Sequence, residues 1–346
     1  DGLGVPRQPC LLIPFFLEGG RYTIDDIHCV ADGDQLVPAA RTPFARDAVF
    51  GYRHSNLRRW VEEKTGGRLP AAQVVSITLD NLRRGGPARV ARQLSAMPPD
   101  SYGVVNAVSY RDLEVLVAAL LEVEAEGKAF IFRTAASFVR VRAGIAPREA
   151  IAPEALTADN DHGGLFVVGS HVPQTTRQVN TLIESGKVKT VEIAVDALLD
   201  DARCNSEIDR AVRAVDQRLK NGEDTVVFTS RKVVSAASDE ENLTIGQRIS
   251  DSLIQVVQGL TCQPRYLVAK GGITCSDVAT KGLGVRRAMV LGQLLPGVPV
   301  WQLGDEARYP GMAYIVFPGN VGDDRALATL QERLSIDAQL TRYPKR

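Results

Sequence analysis

Leu165-Phe166-Val167-Val168-Gly169-Ser170-His171-Val172-Pro173 is the stretch whose reading settles the architecture. The four apolar residues read as a short strand, and Gly169-Ser170 ends it. Pro173 suits the first turn of a helix, because its fixed φ fits and its missing N–H would have had no helical partner there. Val179, Leu182 and Ile183 then share one helical face, and Gly186 closes the helix. A second strand is expected at 191–195. Strand, small-residue turn and helix in this order are the repeating unit of a parallel sheet.

The same design recurs twice. Ala269-Lys270-Gly271-Gly272-Ile273-Thr274 leaves a strand at 266–269, and Phe317-Pro318-Gly319-Asn320-Val321-Gly322-Asp323 leaves a strand at 313–317. In a parallel sheet such turns lie at the carboxyl edge, where ligands bind. Glycine permits positive φ and close backbone approach. Successive amides at a turn or helix start make a nest for an anion, to which Ser170, Thr274 and Ser276 add hydroxyls. One such turn would be only a tight turn; three in one domain point to a shared phosphate-bearing ligand. Neither G-x-x-x-x-G-K-[ST] nor G-x-G-x-x-G occurs. Gly282-Leu283-Gly284 follows a helical stretch and reads as a helix end.

Working outward, helices are expected at 208–219, 245–260 and 323–334, with strands at 225–229 and 299–303. The N-terminal part repeats the alternation. Strands are expected at 11–13, 103–108 and 130–133. Between the last two, Leu113, Leu116, Val117 and Leu120 define a helix that Asp112 can cap and Gly127 ends. Residues 143–164 carry Pro147, Pro153, Gly144, Gly163, Gly164 and several charges with little periodicity, and read as a linker. The expected class is therefore α/β, with two domains (1–150 and 151–346), mainly parallel sheets flanked by helices, and a ligand cleft between them.

The 346 residues carry 41 basic and 41 acidic side chains. A balanced chain without a basic block disfavours nucleic acid or an anionic membrane as partner, and no apolar run is long enough for a membrane span. The five cysteines are odd in number and lack C-x-x-C spacing, so free thiols in a reducing cytoplasm are expected and no metal site is assigned.

Several polar residues sit where chemistry could use them. Arg21 follows Gly19-Gly20, and Arg133 lies at a strand end with Thr134 and Ser137 behind it. Both arginines are candidates for an anionic substrate group; a structural ion pair is the alternative for Arg133. Asn106 and Asp112 flank another strand end. His171 is either a phosphate or base contact or a surface turn residue. Lys270 is either a solvated strand-end lysine or a phosphate contact, rather than a Schiff-base lysine. The charges at 60–64 read as a solvated helix face.

At these turns the chain resembles the four-carbon acid sugar kinase family. The resemblance is carried by Val167-Val168-Gly169-Ser170 with Pro173, Thr175 and Gln178, then by Gly271-Gly272-Ile273-Thr274 with Gly282-Leu283-Gly284 and Leu295-Pro296-Gly297-Val298-Pro299. It continues in Pro318-Gly319-Asn320-Val321-Gly322 and, earlier, in Ile13-Pro14, Gly20-Arg21-Tyr22-Thr23 and Asp32-Gly33. It implies ATP-dependent phosphorylation of a terminal hydroxyl on a small sugar acid, with ATP and Mg²⁺ as cofactors. It implies that Ser170, Gly271, Gly272, Ile273, Thr274, Gly319, Asn320 and Gly322 hold the nucleotide. The acid then belongs to the first domain, with Arg21, Arg133 and Ser137 as candidates. A homo-oligomer is left open. Two departures stand out. Ile273 occupies a position that is usually acidic in the family, so that a Mg²⁺ or ribose contact is either lost or supplied elsewhere, with Asp277 as a candidate. The family's A-D-D-x-T-G-A and D-S-T-x-R-G motifs are absent, so the catalytic base is expected in a segment ahead of Asp1. The alternatives are a nucleotide-binding regulator or pseudokinase and, less favoured without a dinucleotide fingerprint, an oxidoreductase acting on hydroxy acids.

Overall fold

The computed structural model describes residues 7–46, 51–152, 156, 160–230, 239–319 and 321–335. The chain forms two compact units, Asp1–Pro147 and Arg148–Arg346. Both are α/β units in which helices flank a sheet that is wholly or mainly parallel.

In the first unit the strands are β1 (Cys10–Ile13), β2 (Arg21–Ile24), β3 (Ile27–Asp32), β4 (Gln35–Pro38), β5 (Val75–Ile77), β6 (Tyr102–Val105) and β7 (Ile131–Thr134). The main sheet runs β5-β6-β1-β7 and is parallel, with Leu12 opposite both Val104 and Arg133. Alternate side chains leave a strand on opposite faces. Leu11 and Ile13 accordingly pack with Leu113, Leu116 and Leu120 of the helix Tyr110–Ala125. Leu12 and Val104 pack with Leu57 and Val61 of the helix Leu57–Lys64 on the other face.

Strands β2, β3 and β4 form a separate antiparallel sheet, which the periodicity did not suggest. Asp25 and Asp26, both at positive φ, make its first turn. Asn106, completely buried, anchors that turn: its Oδ1 accepts from the Asp26 amide (2.7 Å), and its Nδ2 donates to the Asp26 carboxylate (2.9 Å) and to the Ile77 carbonyl (3.0 Å).

The helix cap expected at Asp112 is corrected. Ser109 is the N-cap and accepts from the Asp112 amide, while Asp112 at the third position closes a capping box by accepting from the Ser109 amide at 3.0 Å. Asp112 also accepts from the Val108 amide (3.0 Å) and from Arg83 Nε (2.8 Å). Burial alone would push its carboxyl pKa up, but Arg83, the Val108 amide and Ser109 outweigh that and hold it below its ordinary value. A depressed carboxylate contributes stability above its unfolded pKa and loses it as pH falls through the native one. Asp112→Ala should therefore cost about 2–3 kcal/mol at pH 7. Thermal melts of both chains from pH 7 to pH 3 should show the gap closing with acid. A gap independent of pH would refute the assignment.

The second unit has β8 (Leu165–Val168), β9 (Lys189–Ile193), β10 (Thr225–Thr229), β11 (Leu267–Lys270), β12 (Ala288–Leu295), β13 (Val298–Leu303) and β14 (Ala313–Phe317) in the order β12-β13-β14-β11-β8-β10-β9. Strands β14, β11, β8, β10 and β9 are mutually parallel; β13 is antiparallel to both of its neighbours. Leu165 and Val167 face the helices Cys204–Lys220 and Asp239–Gly259, with Ile208, Val215, Leu253 and Val257 in the shared core. Phe166 and Val168 face Val179 and Leu182 of the helix Pro173–Glu184 and Leu327 and Leu330 of the helix Ala326–Leu334. The strand expected at 191–195 is shifted: it ends at Ile193, and Val195 opens a short helix to Leu198.

Candidate functional site

The order β14-β11-β8 makes the three glycine turns immediate neighbours on one sheet edge. They are also interlocked. The Gly169 amide approaches the Lys270 carbonyl (3.4 Å), and the Gly271 amide donates to the Phe317 carbonyl (2.9 Å). A Cβ placed on Gly271 would meet Ser170 Cβ at 3.0 Å and Thr274 Oγ1 at 3.1 Å, and one on Gly319 would meet Ser170 Oγ at 3.3 Å. Gly271 has φ +122°, a conformation that only glycine adopts without strain. Ser170, Gly271, Thr274 and Gly319 thus come together in one small volume of the second unit. Gly272 opens the helix Gly272–Asp277, and a Cβ there would meet nothing within 4 Å. The amides of Gly272, Ile273 and Thr274 precede the first intrahelical bond, Cys275 to Gly271 (2.8 Å), and so have no acceptor within the helix.

The helix Pro173–Glu184 fastens the third turn. Thr175 Oγ1 donates to the Gly319 carbonyl at 3.1 Å and lies 3.2 Å from Ser170 Oγ. Gln178 Nε2 donates to the carbonyls of Val321 (3.0 Å) and Asp323 (2.7 Å), and Gln174 donates to that of Gly322. Asn320 lies outside the described residues. Ile273 is 72 % exposed beside the turns. Asp277, the candidate for the acidic contact, accepts through its carboxylate from Ser250 Oγ (2.9 Å) and pairs with Lys281 (3.2 Å), one helical turn on. His171 lies beside Thr229 at the end of β10, Nε2 to Oγ1 3.5 Å.

Lys270 is corrected most sharply. It is completely buried rather than solvated. Its Nζ donates to the Pro318 carbonyl at 2.8 Å and lies 4.0 Å from the centroid of the Phe317 ring.

The first unit holds a cavity of about 320 Å³ whose lining includes Arg21, His28, Tyr52, Trp60, Arg133 and Thr134. The β2–β3 register places Thr23 opposite His28, so Arg21 and His28 are diagonal neighbours. Arg133 comes from the end of β7 and lies over the Trp60 ring, Cζ to centroid 4.9 Å. Neither Arg21 nor Arg133 has a carboxylate within ion-pair distance among the described residues, so the ion pair considered for Arg133 is replaced by ring stacking. Burial lowers the Arg21 pKa. Burial, then the neighbouring Arg21 charge, brings the His28 pKa down to about 4, with a Tyr22 backbone contact acting the other way. His28 is therefore neutral near pH 7, with Nδ1 3.1 Å from Thr23 Oγ1. Ser137 does not line the cavity. It is buried and accepts from the Leu17 amide (3.2 Å), because its face of the helix Ala136–Arg142 turns inward. The sequence reading missed His28, Tyr52 and Trp60; the pairing of β2 with β3 singles out His28, the stacking on Arg133 singles out Trp60, and Tyr52 is found only as a cavity wall.

Comparison with known families follows the same division. Residues 2–142 match the sugar-binding N-terminal domain model, and residues 165–327 match the nucleotide-binding C-terminal domain model. The chain belongs to the four-carbon acid sugar kinase family. No curated protein matches this family member. Its fold is shared with a Salmonella typhimurium LT2 protein that carries a tRNA synthase name, at 17% identity and TM-score 0.64, over 95% of this chain and 74% of that one. It is shared too with Haemophilus influenzae protein HI1011, at 19% identity and TM-score 0.56, over 94% and 74%. Among the described residues of this sugar-acid kinase relative, no helix is long and apolar enough to cross a membrane.

Proposed function

We propose that this chain is an ATP-dependent kinase that phosphorylates a terminal hydroxyl of a small, four-carbon-like sugar acid. The observation that carries the reading is the interlocking of three glycine turns on adjacent strand ends, with Gly272 open to its surroundings and three helix-opening amides beside it. These residues fit a polyphosphate: small side chains allow close approach, and N–H groups supply partial positive charge without a formal one.

A bound nucleotide would supply the transferable phosphoryl group, and Mg²⁺ would neutralise the charge that develops on it. The described residues contain no cluster of three or more metal-ligating side chains, and none is assigned to the ion. The chain's own task is positioning and charge stabilisation, which dominate phosphoryl transfer. The amides at 272–274 and Gly319 hold oxygens, and Ser170 and Thr274 add hydroxyl donors. In the first unit, the guanidiniums of Arg21 and Arg133 suit a carboxylate and neutral His28 suits a sugar hydroxyl. The proton on the attacking hydroxyl needs a carboxylate base that the described residues do not identify.

The test is ATP consumption by the full-length protein with threonate, erythronate and oxidised tetronates. Turnover with at least one acid, giving one phosphorylated acid per ADP, is expected. Failure with every acid while ADP still binds would select the second reading, a nucleotide-binding pseudokinase. That reading draws support from exposed Ile273 at the usually acidic position and from the local pairing of Asp277.

A further inference from the structure

Lys270 is the last residue of β11, the middle of the three strands that end in glycine turns. It is completely buried, yet no described carboxylate lies within ion-pair distance of it. Its Nζ is instead surrounded by acceptors and a ring from the neighbouring turn: the Pro318 carbonyl at 2.8 Å, the Gly319 carbonyl at 3.5 Å and the Phe317 ring at 4.0 Å. Across a trans peptide the C=O and the following N–H point in opposite directions. Holding the Pro318 carbonyl inward therefore turns the Gly319 amide away from the lysine. Lys270 thus does two things at the site: it sets the orientation of the third turn, and it places an ionisable amine without a described carboxylate partner against that turn.

The groups facing it are few. From the helix Gly272–Asp277 comes the Cys275 thiol, which donates to the Ala269 carbonyl (2.9 Å) and is itself pushed up to about 11 by burial, so it is uncharged near neutrality. From β14 comes the Phe317 ring, the register partner of Lys270, whereas Tyr314 lies on the opposite face of the sheet with its hydroxyl donating to the Cys275 carbonyl (2.7 Å). The helix Pro173–Glu184, which packs on the face of Phe317, brings the uncharged Thr175 and Gln178 to the same turn. From β8 no titratable side chain faces it, since Leu165–Val168 is wholly apolar. Burial brings the lysine down to about 7, with Cys275 acting in the opposite direction.

We propose that Lys270 couples nucleotide binding to proton uptake: the buried amine, held on the third turn with no described carboxylate beside it, is the group that becomes an ammonium when a polyphosphate seats on the turns. The inference rests on the nucleotide-binding reading above and adds to it the source of the positive charge. The bound anion raises the lysine pKa, so a proton is taken up whenever the pH lies between the free and the bound value. Affinity is then greatest below the free value and falls as pH rises through that window, by up to about tenfold per pH unit for one proton.

The experiment is titration calorimetry of ADP binding in two buffers of different ionisation enthalpy, at pH 6.5 to 8.5, on the wild-type protein and on Lys270→Gln. The Gln amide can still donate to the Pro318 carbonyl but carries no titratable charge, and it controls for protons exchanged by ADP itself. At pH 8 the wild type is expected to take up more protons than Lys270→Gln does, by up to about one, and the ADP affinity of Lys270→Gln should no longer fall with pH. Binding without that uptake, or equal uptake in both proteins, overturns the proposal. Absence of ADP binding at any pH overturns the nucleotide-binding reading and the proposal with it. Should Lys270→Gln not fold, Lys270→Met, which also lacks a titratable charge, takes its place as the control, with the same outcomes.

Discussion

Replacing Gly271 with alanine lowers the affinity for ADP by about 10- to 100-fold, the equivalent of roughly 1–3 kcal/mol of backbone strain. At φ +122° and ψ 144°, Gly271 occupies a region that a side chain makes costly. Its new Cβ would also press on Ser170 Cβ at 3.0 Å and on Thr274 Oγ1 at 3.1 Å, in the seam between the first and second turns. The strain is relieved only if the second turn moves. That motion loosens the Gly271 amide's bond to the Phe317 carbonyl, and with it the alignment of the second and third turns. Gly284 supplies the control. It too has positive φ, +69°, but a Cβ there meets nothing within 4 Å, and the residue lies past the helical segment rather than in a turn of the nest. Gly284→Ala should cost a comparable fraction of thermal stability and leave ADP affinity within about twofold. Calorimetry of the two variants separates a damaged site from a weakened fold. Equal ADP affinity in wild type and Gly271→Ala would mean that the turns do not hold the nucleotide.

The second unit was legible because its central strands are buried on both faces, which writes them as unbroken apolar runs such as Leu165–Val168, and because the runs of β8 and β11 end in glycine and that of β14 in Pro318-Gly319. The side-by-side placement of the turns was not legible, since strand order is a tertiary fact. Lys270 shows the limit of reading a charge as solvent-facing: carbonyls of Pro318 and Gly319, 48 and 49 residues along the chain, receive it. Asp112 was placed at the right helix start but in the wrong role, because Ser109 three residues earlier supplies the cap and Arg83 the counter-charge. Strands β2 to β4 were missed for a different reason. RYTI, IHCVAD and QLVP are short, partly exposed and interrupted by polar residues, so no apolar alternation announces them. Asp25-Asp26, a pair tolerant of positive φ, was the one local signal of a hairpin there. Missing that sheet hid His28, because only the pairing of Thr23 with His28 sets the imidazole beside Arg21. Arg21 and Arg133 could be named from their places after glycines and at a strand end, but not as lining of one cavity.

Those two arginines carry the largest effect expected on the acceptor side. Arg21→Met and Arg133→Met should each raise KM for the acid by about 10- to 100-fold, the range for losing a charge-assisted hydrogen bond to a carboxylate. Methionine keeps much of the apolar stem, so the cavity wall is preserved and the loss reports the guanidinium. The two sites should differ under substitution by lysine. Arg133 is exposed and lies over Trp60, a flat stacking that a compact ammonium does not reproduce, so Arg133→Lys should recover little. Arg21 is half-buried next to neutral His28 and within the field of Tyr52; a lysine there would meet the same burial that lowers the arginine, and would be the more easily neutralised. Arg21→Lys should therefore bind acid progressively worse as pH rises from 6 to 9, a slope the wild type lacks because its guanidinium stays charged throughout. ADP affinity should be unchanged in all four variants, since the glycine turns belong to the other unit. Acid KM values that ignore both methionine substitutions, with ATP turnover intact, would place the acceptor elsewhere. A loss of ADP binding in step with acid binding would show that the variants report folding, because the cavity and the turns share no side chain.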